Sequence, residues 1–163
     1  MNIISSWYIA NNFIKKSLEE KNYITTLKLN CLIYLLYSSY LYKYEEKIFV
    51  ENFIKTEKGP VLPNINFKFG CFKDKVITKY AKDSSGNIIT LKEFGEFELE
   101  LSYIWNKYKN MSDIEILHIV NKGIMISNKN NNEIINDKEI LADEIKRNEE
   151  ILKRRKILNN NLK

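Results

Sequence analysis

The stretch TTLKLNCLIYLLYSSYLYKY, Thr25–Tyr44, decides the fold. Leu29, Leu32, Ile33, Leu36, Tyr37 and Tyr40 recur at helical spacing and form a broad apolar face. Thr25 or Thr26 supplies the N-cap. A face this broad implies burial on several sides, so the spacing predicts the central helix of the protein. The most apolar run, Cys31–Tyr42, contains Ser38-Ser39 and falls short of the roughly 20 residues that cross a bilayer.

Upstream, Ile3, Trp7, Ala10, Ile14 and Leu18 form a helical stripe, with Lys15, Lys16, Glu19 and Glu20 off it. Lys21-Asn22 is the turn between the two helices. Downstream the pattern changes at Lys47. Ile48–Ile54 reads as a short strand ending in Gly59-Pro60-Val61-Leu62-Pro63, which holds both prolines of the chain. Val76–Tyr80 and Ile88–Leu91 read as hairpin arms around the polar loop Asp83–Asn87. Helical spacing returns with Phe94, Phe97, Leu101, Ile104 and Tyr108, and Ser112 with Glu115 forms a capping box before Ile116, Leu117 and Val120. Gly123–Ser127 reads as one more short strand, and residues 128–132 as a polar linker. The tail from Glu133 to Leu158 reads as a long charged helix with a narrow seam of Leu141, Ile145 and Leu152, interrupted by Asn148. Such a seam suits a coiled-coil contact or docking on the domain's own surface.

The expected fold is α+β and predominantly α-helical: a compact multi-helix domain with a small antiparallel β element and a long charged C-terminal helix. Residues 1–127 form the domain, and residues 128–163 the linker and helix. At 163 residues, 44% hydrophobic and 12% aromatic, the chain has the length and composition of one globular domain. Its net charge is +5 with a pI near 9.0. From Lys138 onward eight basic side chains stand against five acidic ones, so the tail carries more than half of that charge. Cys31 and Cys71 have no CxxC partner, and a single histidine cannot complete a zinc set with them. They read as two buried reduced thiols in a cytoplasmic protein, without a secretory signal or membrane span.

The residues for catalysis are sparse. His118, the only histidine, lies among Ile116, Leu117, Ile119 and Val120 and reads as a structural histidine with a satisfied hydrogen bond. The five glycines set up no phosphate loop, and Glu45-Glu46, Glu96-Glu98-Glu100 and Glu149-Glu150 read as solvated charge. No enzyme activity, cofactor or metal is expected. Ten tyrosines fall mostly on apolar stripes, where they read as core. The basic cluster Lys153-Arg154-Arg155-Lys156 also complements a helix C-terminus. Nucleic acid is therefore not expected as the sole partner.

The order of these features resembles the Panacea antitoxin domain family, which includes phage-associated GepA-like and SocA-like proteins. Trp7-Tyr8-Ile9-Ala10-Asn11-Asn12-Phe13-Ile14 is similar to the family's opening "ANYFI" helix. Thr25-Thr26-Leu27-Lys28-Leu29-Asn30-Cys31-Leu32-Ile33-Tyr34 is similar to its "ltplKLqKLlYf" helix, which continues to Leu41. Phe53 and Gly59-Pro60-Val61-Leu62-Pro63 fall at its "GPVvP" turn. Trp105–Tyr108 and Ser112–His118 resemble its closing helices. The match spans about 110 residues. Three positions depart from it. Thr56 stands where the family usually has an aromatic, Asn66 where a tyrosine is usual, and Gly123-Ile124 where a Pro-Trp pair is usual. The tail beyond about Asn128 has no counterpart.

The resemblance implies a mostly helical domain that neutralises a toxin by direct contact, in some members by delivering it to a protease. The departures leave a second class of partner open, a host defence effector inhibited by a phage-borne protein. The charged tail leaves a third, RNA. Gly59, Pro60, Val61, Pro63, Lys153, Arg154 and Arg155 are the candidate partner-binding residues. The Gly-Pro-Val turn either only reverses the chain or presents its neighbours to a partner at low entropic cost.

Overall fold

A computed structural model of the chain describes residues 4–92 and 95–161. Ile3 and Phe94, each expected on a helical stripe, lie outside the described residues. The elements run α1 (Ser6–Glu19), α2 (Thr26–Tyr44), β1 (Phe53–Thr56), β2 (Gly59–Val61), α3 (Pro63–Phe69), α4 (Gly95–Tyr108), α5 (Asp113–Asn121), α6 (Ile124–Ser127), β3 (Ile134–Ile135) and α7 (Asp137–Asn161), with a 3₁₀ turn at Gly70–Phe72 after α3. The fold is α+β and mostly helical, with one small antiparallel sheet of order β2-β1-β3.

The central position of α2 follows from its sequence. Thr25 is its N-cap, and its hydroxyl accepts from the Lys28 amide at 3.2 Å. Leu29, Cys31, Leu32, Ile33, Tyr34, Leu35 and Leu36 are all buried, so no side of the middle turns faces water. Helices α1, α3, α4, α5 and α7 and strand β2 pack around it.

Polar residues on this apolar rod are used as anchors. Ser38 Oγ donates to Glu144 of α7 at 2.9 Å, and Ser39 Oγ to Glu100 of α4 at 2.6 Å. Lys43 adds an ion pair to Glu100, and Arg147 pairs with Glu144. Buried carboxylates persist only when paired and hydrogen-bonded, as these are. No helix among the described residues is long and apolar enough to cross a membrane.

Helix α1 buries Trp7, Ala10 and Ile14, as its stripe predicts. The region expected as a hairpin, Val76–Tyr80 with Ile88–Leu91, forms no strands; it has one isolated bridge, Lys82 to Ile88, and Val76 bridges instead to Thr25. Asparagines on α1 take the backbone bonds a hairpin would have used. Asn11 Nδ2 donates to the carbonyls of Ala81 and Ile89, and its Oδ1 accepts the Ala81 amide, each at 2.9 Å. Asn12 exchanges the same pair of bonds with Leu91.

The first strand is Phe53–Thr56, later than the expected Ile48–Ile54. Ile48 and Phe49 are buried without being in a strand. Strand β1 begins where partners exist, with Ile54 opposite Val61 on one side and Phe53 opposite Ile135 on the other. The Ser112–Glu115 capping box forms as expected. Gly123–Ser127, expected as a strand, holds the short helix α6 instead. Its first amides, Met125 N and Ile126 N, donate to Asp143 of α7 at 3.0 and 3.2 Å.

Helix α7 docks on the body of the protein. Asn136 and Glu139 cap its start reciprocally. Its packing face runs through Ile140, Asp143 and Glu144, all buried. The expected seam does not carry the contact: Leu141 is half-buried, and Ile145 and Leu152 are exposed. Strand β3 and the first half of α7 thus share one core with the residues before position 128.

Candidate partner-binding groove

The Gly-Pro-Val turn is built into the fold from three directions. Gly59 holds a positive φ of +89°, where only glycine is unstrained, and a Cβ there would stand 2.7 Å from Leu117 Cδ1 of α5. Pro60 is buried opposite Lys55 in the strand pair. The Leu62 amide donates to Asn30 Oδ1 at 3.0 Å. Asn30 Nδ2 in turn donates to the Thr26 carbonyl and to Asn66 Oδ1 at 3.0 and 3.1 Å. Pro63 is the first residue of α3, where its missing N–H is not needed.

Beside this turn lies an open groove of about 900 Å³. Helix α2 contributes Thr26, Leu27 and Asn30; the β1–β2 turn contributes Thr56, Glu57 and Lys58; Val61 and Asn66 complete the near wall. Lys73, Asp74, Asn131 and Asn132 border the rest. Lys58 and Asp74, both exposed, approach within 3.7 Å. A pair so accessible contributes little stability and yields readily to a ligand. The groove therefore presents amide, hydroxyl and charged groups around two aliphatic side chains, Leu27 and Val61.

The expected partner-binding residues divide accordingly. Val61 lines the groove, Gly59 and Pro60 are buried, and Pro63 is exposed. Lys153, Arg154 and Arg155 are exposed on α7 and form no wall of this groove. Arg154 borders a second, smaller cleft.

Most of the remaining motif residues are structural. Trp7, Ala10, Phe13, Leu29, Leu32, Tyr34, Trp105 and Tyr108 are buried, and Leu27 is half-buried. Lys68 Nζ sits 4.5 Å from the Trp7 ring centre, a cation–π contact. Trp105 Nε1 donates to Glu20 at 2.8 Å, and Lys109 pairs with the other carboxylate oxygen. Those bonds, from Lys109 and then Trp105, hold Glu20 below the usual carboxylate range. Lys28 is buried with its ammonium donating to the carbonyls of Lys109 and Met111 at 2.7 and 2.6 Å, just past the end of α4. Burial lowers its pKa, against the opposing charges of Asp113 and Glu115.

Two expectations are corrected. His118 is exposed, and its imidazole makes no hydrogen bond to any described residue; the buried side of α5 is formed by Ile116 and Val120. Cys71 is exposed on the 3₁₀ turn, because no element covers that turn. Cys31 is buried as expected, and desolvation pushes its thiol up to about 12. Among the described residues no three His, Cys, Asp or Glu side chains gather as a metal site.

Asn30 and Phe67 were missed as candidates. Phe67 is 86% exposed on α3 beside Asn66. The signal for Asn30 was a lone amide inside an apolar helix, a position that requires a specific partner. The chain matches no family model, no curated protein and no solved structure.

Proposed function

We propose that this protein is a non-catalytic binder that neutralises another protein by direct contact, as an antitoxin does, and that it acts in the cytoplasm. One observation carries the reading. Val61 of the Gly-Pro-Val turn, Leu27 and two of the three departing positions, Thr56 and Asn66, line one open groove although they belong to four elements, α2, β1, β2 and α3. A structural turn alone would give no reason for these positions to share a surface. The rigid support described above, Gly59 under Leu117 and Leu62 on Asn30, keeps the groove's shape fixed before contact and reduces the entropic cost of binding. The two unpaired cysteines are in keeping with a reducing compartment.

The groove's polar lining bears on which partner. With Thr56 and Asn66 where the resemblance implies aromatics, this surface suits a more polar partner than the family's usual toxins. A host defence nuclease inhibited by a phage-borne protein is the alternative target, and delivery of a toxin to a protease is a further form of the same binding.

The test is co-expression of the chain with the toxic product of its neighbouring gene, followed by affinity capture. Growth rescue and a stable complex are expected, and both are expected to fail for Val61→Arg and Asn66→Arg at unchanged fold. Rescue that survives both substitutions would move the binding surface elsewhere. No rescue, combined with capture and inhibition of a host nuclease, would select the alternative.

A further inference from the structure

A second cleft lies on another face, where α4 and α5 meet the middle of α7. Its volume is about 210 Å³. Its apolar part is formed by Met111, Ile119 and Ile151, with Tyr108 buried behind them. Around that part stand Lys107, Lys122, Lys146 and Arg154. None of these four cations has a carboxylate partner among the described residues; Lys107 instead donates to the Tyr103 hydroxyl at 3.0 Å. Of the two acidic residues in the wall, Asp143 is buried and committed to the amides of α6. Only Glu150 remains to oppose the four cations. Arg147 also lines the cleft; one of its amino groups pairs with Glu144, and Nη2 is buried without an acceptor.

We propose that this cleft binds an acidic segment of a partner protein, with one bulky apolar side chain seated on Met111, Ile119 and Ile151 and flanking carboxylates paired with Lys122, Lys146 and Arg154. Size and chemistry select this occupant. Pockets that enclose drug-sized ligands run ~300–1,000 Å³, so this one accepts a single side chain rather than a nucleotide. A single-stranded nucleic acid needs exposed rings on which bases stack. Here the one lining aromatic, Tyr108, is only 3% exposed. An anchor in an apolar pocket ringed by charge is the usual arrangement at the centre of a protein–protein contact.

The proposal rests on the reading of the chain as a protein binder, but its test needs no identified partner. The probe is a fluorescein-labelled peptide, Glu-Asp-Phe-Glu-Asp, titrated into the full chain and followed by anisotropy. Binding is expected, weakening as salt rises. Replacing the phenylalanine by glycine, or the acids by Gln and Asn, is expected to weaken it tenfold or more. Lys146→Glu with Arg154→Glu is expected to do the same with thermal stability unchanged, since Arg154 is exposed and Lys146 has no ion-pair partner. Equal binding of the neutral peptide, or of the charge-reversed protein, would overturn the proposal. So would tighter binding of a short oligouridylate displaced by the same substitutions. Peptide failure with capture through the Thr56–Asn66 groove intact removes this proposal alone; loss of capture with peptide binding intact removes the other.

Discussion

The carboxylate of Asp143 fills the space in which a side chain on residue 123 would stand, so that even a methyl group on Gly123 would overlap it. Twenty positions apart, the two residues lock α7 to the turn before α6. Asp143 reaches past the bare glycine to accept the amides of Met125 and Ile126. Gly123→Ala is expected to displace the carboxylate and cost about 1–3 kcal/mol, the range for stranding buried hydrogen-bonding groups. Asp143→Ala is expected to cost a similar amount. Because both act on one arrangement, the double variant should lose less than the two losses added. Urea unfolding of the three variants measures this, and strict additivity would contradict it.

Any side chain at position 123 would take the place of the Asp143 carboxylate, so the glycine and the tail helix go together. Neither residue reveals this locally. The sequence was legible where local rules suffice: the α2 face, the Thr25 cap and the Ser112–Glu115 box all depend on neighbours within a few positions. It was not legible where a distant partner decides. The α6 segment is helical because Asp143 supplies its cap. The 76–91 loop has no paired strands because Asn11 and Asn12, some 70 to 79 positions away, take its backbone groups. The groove itself was half legible: the turn was visible as a motif, whereas its junction with Leu27, Asn66 and Asn132 depends on packing.

Asn11 therefore makes a sharp case. Its amide satisfies two carbonyls and one N–H of the loop. Asn11→Ala is expected to cost about 2–4 kcal/mol, since it leaves several buried backbone groups unpaired at ~1–3 kcal/mol each before relaxation. Asn11→Asp should be little better, because a carboxylate still accepts from Ala81 but cannot donate to the two carbonyls. Hydrogen exchange should locate the loss, with the Ala81 amide deprotected well before those of α2. Uniform deprotection would show that the loop is held by something else.

Alkaline stability should report on Tyr34 and Tyr37. Burial raises both phenols above their ordinary value; for Tyr37 the hydrogen bond to Asp137 adds to it, and for Tyr34 the nearby Arg147 charge opposes it. With the folded pKa above the unfolded value of ~10, the stabilisation is fully present below that pH and is lost as pH rises beyond it. Tyr34→Phe and Tyr37→Phe are each expected to flatten the decline above pH ~10. Lys28, held low by burial, works in the opposite sense, so the comparison of variants isolates the tyrosines. At neutral pH the two should differ. The Tyr34 hydroxyl is buried without a well-directed hydrogen bond, so its removal should be nearly neutral. Tyr37 donates to Asp137 at 2.8 Å, and its loss should cost about 1 kcal/mol.

The turn beside the groove allows strain and packing to be separated. Gly59→Ala introduces two penalties at once: a positive φ, worth about 1–2 kcal/mol for a residue with a Cβ, and overlap with Leu117 Cδ1 at 2.7 Å. Leu117→Ala removes the second penalty only. In that background Gly59→Ala should therefore cost just the backbone strain, about 1–2 kcal/mol, against about twice that in the parent if the leucine cannot move. Thermal unfolding of the four proteins completes the cycle. An unchanged cost in both backgrounds would mean that Leu117 swings aside freely, and that α5 does not brace the turn. Partner capture at a temperature where all four remain folded then distinguishes the two roles of the turn. If the turn only reverses the chain, capture should be the same for all four. If its rigidity keeps Val61 in place at the groove wall, capture should weaken in step with the coupling between Gly59 and Leu117.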